Sequence, residues 1–177
     1  MSLSPTIVQP SRVDSRGGIT VGVADIALSN DPQATLTTYA LGSCIGVTIY
    51  DPVAKVGGML HFMLPFSTVN PAKAMQRPAM FGDTGIPLLF RSAYELGARK
   101  ERLVVCAAGG AEILNDDGHF RVGSRNRTML RKLFWKNNIL LDADETGGNI
   151  SRTLSMPIGT GTVSIRNRGK EKILWAA

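Results

Sequence analysis

Residues 41–65 of this 177-residue chain read LGSCIGVTIYDPVAKVGGMLHFMLP, a pattern typical of a β-hairpin. Asp51-Pro52 suits a tight turn, because aspartate favours the first turn position and proline fixes φ at the second. If the hairpin pivots between Pro52 and Val53, Cys44 lies directly opposite His61. One face of the hairpin is then apolar, as a core face requires. Its apolar side chains are those of Ile45, Val47, Ile49, Val56 and Leu60.

The other face of the hairpin predicts a catalytic pair. Opposed residues of antiparallel strands have Cβ atoms ~4.5–5.5 Å apart, so the Cys44 thiol can reach an imidazole nitrogen of His61. A thiol beside an imidazole can form a thiolate–imidazolium pair, which is a nucleophile with its own proton carrier. Gly42 and Ser43 directly precede the cysteine, and their backbone amides are candidates for holding an oxyanion.

Simpler interpretations exist for the Cys and His residues. A cysteine in an apolar strand is commonly a small core residue, and Cys106 is interpreted in this way. A histidine near an apolar strand is often structural, and His119, beside a predicted turn at 115–118, is interpreted as a surface residue. A metal site is not expected, because Cys44 and His61 alone supply too few ligands.

The group that would orient the imidazole is left open by the spacing. No carboxylate is evident on the catalytic face apart from the one at the turn, and Thr38, Thr37 and Thr35 are all candidate hydroxyls on the preceding strand. Gly46 and Gly57 predict a flat surface beside the pair, to which a substrate chain can come close.

The whole sequence predicts a single α+β domain. Residues 1–18 are polar and contain Pro and Gly, which predicts a flexible N-terminal arm followed by one domain over 19–177. Helices are expected from Asp83 or Thr84 to Leu96 and from Arg125 to Lys136, with a long loop at 66–82. About eight strands are expected among nine strand-like runs, at 19–23, 34–41, 44–50, 56–64, 102–108, 139–144, 153–158, 162–166 and 173–175.

Composition excludes several classes of protein. The 44% hydrophobic content is too high for a disordered chain. Two cysteines and two histidines exclude a disulfide-stapled scaffold and a zinc finger of the Cys₄ or Cys₂His₂ type. The sequence has neither a signal peptide nor an apolar run of ~18 residues, which predicts a cytoplasmic protein without membrane insertion.

The net charge of +6 is concentrated in one segment. Residues 118–141 contain six basic residues and no acidic residue. This segment is either the solvated face of an amphipathic helix or a docking surface for an acidic partner. A nucleic-acid-binding module is a rival interpretation, which the absence of a binding motif and of interleaved exposed aromatic residues disfavours. The basic residues are Arg121, Arg125, Arg127, Arg131, Lys132 and Lys136.

An ordered set of short motifs resembles the chemoreceptor glutamine deamidase (CheD) family of bacterial chemotaxis. Each motif is weakly specific alone, but the set in this order is highly specific, and the resemblance runs from about residue 19 to 168. The motifs are Leu41–Cys44, Tyr50–Pro52, Gly57–Met59 with His61, Met63–Pro65, Asp83–Leu89, Gly109–Ala111, Gly123–Asn126 and Gly147–Asn149.

This resemblance implies a fold, an activity and a set of site residues. The fold would be similar to that of the toxin-type cysteine deamidases, with packed mixed or antiparallel β-sheets and about two main helices on the outside. Cys44 would be the nucleophile, His61 the general base and acid, and Thr38 the residue that orients His61, with no cofactor. The activity implied is hydrolysis of receptor glutamine side chains to glutamate and ammonia, which tunes chemotactic adaptation. Some members also hydrolyse glutamyl methyl esters.

The same resemblance implies partners. The substrate would be the cytoplasmic domain of methyl-accepting chemoreceptors, and a CheC-type phosphatase is a possible second partner. An alternative function is that of a non-catalytic adaptor that binds such a phosphatase. No nucleic-acid partner is expected.

Overall fold

The computed structural model describes residues 13–113 and 121–177, which form ten strands and three α-helices. The strands are β1 Gly18–Thr20, β2 Asp25–Ser29, β3 Thr35–Leu41, β4 Ile45–Asp51, β5 Val56–Phe62, β6 Val104–Gly109, β7 Ala143–Thr146, β8 Arg152–Pro157, β9 Val163–Asn167 and β10 Lys170–Trp175. The helices are α1 Pro71–Gln76, α2 Gly82–Glu95 and α3 Val122–Lys136, with 3₁₀ turns at Ser67–Val69, Pro78–Met80 and Lys100–Arg102. None of the helices in these two ranges has the length and apolar character needed to cross a membrane.

The strands form two open mixed sheets of five strands each. The first sheet has the order β1-β3-β8-β9-β10 and the second sheet the order β2-β5-β4-β6-β7. One core lies between the sheets, where Leu36 and Leu154 of the first sheet pack with Met59 of the second. A second core lies between the other face of the second sheet and the helices, and it includes Leu89 and Leu130. This arrangement confirms the predicted α+β class, with packed sheets and helices on the outside.

The β4–β5 hairpin differs from the prediction in its register. Gly46, and not Cys44, lies opposite His61. The predicted register is wrong by two residues, because four residues, 52–55, connect the strands in place of a two-residue turn. The Asp51 carboxylate accepts hydrogen bonds from two amides of this connection, and Lys55 has a left-handed φ of 54°. Since side chains alternate along a strand, a shift by two leaves every residue on its predicted face.

Both faces of this hairpin are buried. The predicted apolar face packs against α2 and α3, which confirms that assignment. The other face packs against the first sheet: a Cβ on Gly46 would lie 2.8 Å from a Leu154 methyl, and one on Gly57 would lie 2.5 Å from an Ile158 methyl. The prediction of an open, flat surface at these glycines is therefore wrong. They allow the two sheets to approach each other.

The N-terminal part of the structure contains a turn and a first strand shorter than predicted, and the flexible arm at 1–18 stays a prediction. Residues 13–18 form a turn in which the Asp14 carboxylate accepts the amides of Arg16 and Gly18, whereas residues 1–12 lie outside the described residues. The predicted strand at 19–23 ends at Thr20, and a separate strand, β2, follows it and pairs with β5. Ala24, with φ of 58°, lies in the turn between the two strands.

Two further segments differ from the predicted helices and loops. Residues 66–82, predicted as a loop, contain α1 and two 3₁₀ turns, which are too short to show helical periodicity. The Asn70 side chain caps α1 by accepting the amide of Lys73 at 3.0 Å. The helix α3 begins at Val122, three residues earlier than predicted. The predicted turn at 115–118 and His119 lie outside the described residues.

Candidate active site

His61 lies near the end of β5 and is completely buried between the two sheets. Its Nδ1 atom is 2.7 Å from the hydroxyl oxygen of Thr38, which is also buried. The same hydroxyl is 2.7 Å from the carbonyl oxygen of Val21. A carbonyl can only accept, so the single hydroxyl hydrogen goes to Val21, and the Thr38 oxygen accepts the hydrogen on Nδ1. This chain of bonds leaves Nε2 as the unprotonated nitrogen of the neutral ring.

The structure distinguishes among the three candidate threonines. Thr38 points into the space between the sheets, where it contacts the imidazole. Thr37, on the opposite face of β3, bonds to the hydroxyl of Ser155 at 3.0 Å. Thr35 is two residues from Thr37 on the same strand and therefore lies on that same opposite face. A hydroxyl, and not a carboxylate, is therefore the group that contacts the ring.

The Nε2 atom of His61 is buried and has no hydrogen-bond partner within the described part of the chain. Burial removes water that would stabilise the imidazolium, and it lowers the pKa of His61 to about 4. The ring is therefore neutral near pH 7, with a lone pair available on Nε2.

Cys44 directly precedes β4 and is half-buried. It packs against the core between the sheets, on the side where His61 lies. Because Gly46 is the residue opposite His61, Cys44 is a diagonal neighbour of the histidine. Diagonal neighbours on paired strands are typically about 7 Å apart. The Cys44 thiol forms no hydrogen bond with Nε2 in this structure.

The electrostatic environment of Cys44 favours a neutral thiol. Burial raises the pKa of this thiol, and its own backbone N–H offsets that rise only in part. The sequence predicts that a thiolate–imidazolium pair can form. The structure favours neutral Cys44 and neutral His61 in the free protein, because burial disfavours both charges.

The loop before Cys44 is held by the end of β6. The carbonyl oxygen of Gly42 accepts the amide of Ala111, and that of Cys44 accepts the amide of Gly110, both at 2.8 Å. The Gly42 amide donates to the carbonyl of Ala40 at 2.9 Å, so it is already engaged.

The amides of the next two residues differ from that of Gly42. Ser43 and Cys44 donate to no carbonyl oxygen of the described residues. Of the two predicted oxyanion-loop residues, Ser43 thus has its amide available to a substrate oxygen.

Asn126 is a residue of the site whose role the sequence analysis missed. It is fully buried in the second turn of α3, and its amide group donates to the carbonyl oxygens of Ser43 at 3.0 Å and Met63 at 2.9 Å. The motif Gly123–Asn126 contributed to the family resemblance, but no sequence pattern shows which carbonyls a helical asparagine contacts.

Comparison with known proteins gives consistent matches. The sequence model of the family described as CheD chemotactic sensory transduction matches residues 63–167. A probable chemoreceptor glutamine deamidase CheD 1 of Syntrophus aciditrophicus is 51% identical over 86% of this chain and 96% of its own length. The corresponding proteins of Solibacter usitatus and Pyrococcus horikoshii are 49% and 35% identical over 88% of this chain and cover 92% and 96% of their own lengths. The chain belongs to the CheD family.

The other Cys and His residues of this CheD chain have different surroundings. Cys106 is completely buried in β6, which confirms its interpretation as a core residue, and burial raises its pKa to about 11. The prediction that His119 is a surface residue is untested, because His119 lies outside the described residues. Within the described ranges, no three His, Cys, Asp or Glu side chains cluster in a way that could hold a metal ion.

The basic segment of this CheD chain is only partly available to a partner. Arg127 lies 3.7 Å from Glu112, and Arg131 lies 3.1 Å from Asp144, so two of its cations form ion pairs within the chain. Trp135 is 83% exposed among these basic residues. The expectation that this segment has no exposed aromatic residue is therefore wrong. Its role as a docking surface stays a prediction.

Replacing Gly109 by alanine is expected to destabilise the protein and disturb the loop of Cys44. Gly109 has φ of +104°, and a Cβ there would press on the carbonyl oxygen of Cys44. We expect the free energy of unfolding to fall by about 3 kcal/mol in guanidinium titrations. Gly97→Ala is the matched control, since Gly97 has φ of +99° and nothing within 4 Å of its added Cβ. Equal losses in the two variants would contradict the close approach at Cys44.

Acid is expected to destabilise the fold through His61. The folded state takes up this proton only near pH 4, whereas the unfolded chain takes it up near pH 6.5. The unfolded state therefore binds more protons between these values, and the free energy of unfolding decreases as pH falls through this window, by up to about 3 kcal/mol. Urea titrations across the window should show this decrease. His61→Gln, which cannot titrate, should show a smaller one, and equal slopes would contradict the buried neutral ring.

Proposed function

We propose that this chain hydrolyses the side-chain amides of specific glutamines on methyl-accepting chemoreceptors, giving glutamate and ammonia. The observation that carries the proposal is the bond chain from Val21 through Thr38 to His61, which leaves a free basic nitrogen on the side of the partly exposed Cys44. The family provides the substrate class, since its curated relatives are named probable chemoreceptor glutamine deamidases.

Acylation begins from the neutral pair. As the Cys44 sulfur attacks the carboxamide carbon of glutamine, His61 Nε2 takes the thiol proton. Concerted transfer suits this site because burial disfavours a thiolate or an imidazolium standing alone. The imidazolium then passes its proton to the amide nitrogen, the carbon–nitrogen bond breaks, and ammonia leaves a thioester on Cys44.

The tetrahedral intermediate requires hydrogen-bond donors near the sulfur. We assign this role to the backbone amide of Ser43, with the amide of Cys44 as the second donor. The support is that neither amide donates to a carbonyl within the described part of the chain, whereas that of Gly42 does. Adjacent amides aimed at a developing oxyanion commonly contribute about 3 kcal/mol to lowering the barrier.

Deacylation uses the same groups in reverse. His61 Nε2 takes a proton from water, the hydroxide attacks the thioester carbonyl, and the carbon–sulfur bond breaks. The proton returns from His61 to the Cys44 sulfur, so the cycle consumes one water and restores the neutral pair. Thr38 keeps Nδ1 protonated throughout, because its own hydrogen stays on the Val21 carbonyl. The same thioester would form from a glutamyl methyl ester, with methanol as the leaving group.

The setting of the reaction is the cytoplasm, where residues 19–177 act as one domain on receptor cytoplasmic helices. A CheC-type phosphatase is a further proposed partner on the strength of the family resemblance alone. The proposed reaction uses only side chains, backbone amides and water.

The test is incubation of the purified chain with the cytoplasmic fragment of a receptor from the same genome. Each converted glutamine gains about 1 Da, because an amide NH₂ is replaced by OH. Peptide mapping by mass spectrometry should locate the gain at particular glutamines. No gain on any receptor of that genome would refute the proposed function.

A further inference from the structure

Asn126 connects the two segments that carry the nucleophile and the base. Its Nδ2 group donates to the carbonyl oxygen of Ser43 at 3.0 Å and to that of Met63 at 2.9 Å. Ser43 directly precedes Cys44, and Met63 follows His61 by two residues. We infer that Asn126 is a positioning residue that keeps the Cys44 thiol aligned with the His61 ring, an inference that rests on the proposed function.

The chemistry of the contact specifies an amide. A carboxamide nitrogen carries two hydrogens, and both acceptors here are carbonyl oxygens, which can only accept. The orientation of the Asn126 amide is therefore determined by its partners. Its Oδ1 atom is buried without a hydrogen-bond partner in the described ranges, an unfavourable state. An apolar side chain would avoid that cost, so what asparagine adds at this position is the pair of donated bonds.

The start of α3 is itself held against the nucleophile loop. A Cβ on Gly123 would lie 2.8 Å from the carbonyl oxygen of Gly110 and closer still to that of Ala111. The amide of Gly110 in turn bonds to the carbonyl of Cys44. Asn126, one turn further along α3, therefore extends from an element that is already packed on the loop of the nucleophile.

Loss of the Asn126 amide would affect the two sides of the site differently. Cys44 would stay bonded to Gly110, and β4 would stay paired with β5, but the side-chain bridge between Ser43 and Met63 would be lost. The position of the thiol relative to the ring would then be held by fewer hydrogen bonds. A displacement of about 1 Å at a reacting group can lower a rate about 10²-fold.

The test compares Asn126→Ala with Met129→Ala, a buried residue of the same helix whose side chain has no hydrogen-bond donor. We expect kcat for deamidation of the receptor fragment to fall about 10- to 100-fold in Asn126→Ala, with KM within about 2-fold of wild type. Alkylation of Cys44 by iodoacetamide should change in the opposite direction and become at least about 5-fold faster, because the loosened loop exposes the thiol.

The two readouts separate positioning from loss of stability. Met129→Ala should lower the melting temperature while kcat and Cys44 alkylation stay within about 2-fold of wild type. Equal kcat values in the two variants, or equal alkylation rates, would overturn the role of Asn126. If Asn126→Ala does not fold, Asn126→Ser, which keeps one donor, should give intermediate values of both readouts. If the wild-type chain deamidates no receptor, the proposed function fails, and the alkylation comparison alone decides on Asn126.

Discussion

Cys44→Ala is expected to abolish glutamine hydrolysis, with a loss of at least about 10³-fold in kcat/KM. The mechanism has no alternative nucleophile at this position, since Cys106 is completely buried in the core between the sheets. The measurement is the rate of ammonia release from a receptor fragment, together with the mass gain at its glutamines.

Cys106→Ala is the matched control for that experiment. It removes the other cysteine of the chain, and it should leave turnover per folded molecule within about 2-fold of wild type. Retained hydrolysis in Cys44→Ala would contradict the assigned nucleophile. Binding of a phosphatase partner that survives in Cys44→Ala, without hydrolysis by the wild type, would support the adaptor alternative.

His61→Gln is expected to lower kcat by about 10² to 10⁴-fold, because no other group in the proposal accepts the thiol proton. KM should change little, since the buried ring is not assigned to binding the receptor. Steady-state kinetics with the receptor fragment measure both quantities.

Variants of the neighbouring threonines extend this test. Thr38→Val removes the acceptor of the Nδ1 hydrogen and leaves the tautomer unspecified, so we expect a loss of about 10-fold or more in kcat. Thr37→Val, on the opposite face of β3, should have no such effect. A full rate in His61→Gln, or equal effects of the two threonine variants, would contradict the bond chain through Thr38.

The hairpin shows what could be predicted from the sequence and what could not. Alternation along the two strands placed Cys44 and His61 on one side, and this depends only on the period of a strand. The register required the length of the connection, which Asp51 sets through hydrogen bonds to the amides of Val53 and Ala54. A turn signal such as Asp-Pro does not show how many residues the turn contains.

Contacts between distant segments are a second feature that could not be predicted from the sequence. Gly46 appeared to leave an open surface, but it faces Leu154, which lies in the other sheet. Thr38 meets His61 across the same space. Strand periodicity assigns a residue to a face but does not identify the element that packs on that face. The family resemblance, and not spacing, selected Thr38 among three threonines.

The sequence also does not predict very short helices or the hydrogen-bond partners of a buried side chain. The helix α1 and its flanking 3₁₀ turns are too short to produce an apolar period, so the sequence of residues 66–82 predicts a loop. Asn126 was visible only as part of a motif, because its partners, the carbonyls of Ser43 and Met63, belong to distant parts of the chain.

Deamidation in water labelled with ¹⁸O tests the central claim most directly. Wild-type chain and the Cys44→Ala variant are each incubated with the same receptor fragment, and the masses of the glutamine peptides are measured by mass spectrometry. Hydrolysis through a thioester on Cys44 predicts a gain of about 3 Da at each converted glutamine, with one labelled oxygen in the new carboxylate, and no gain with Cys44→Ala. A labelled product of equal yield from both proteins, or no labelled product from the wild type, would contradict the account.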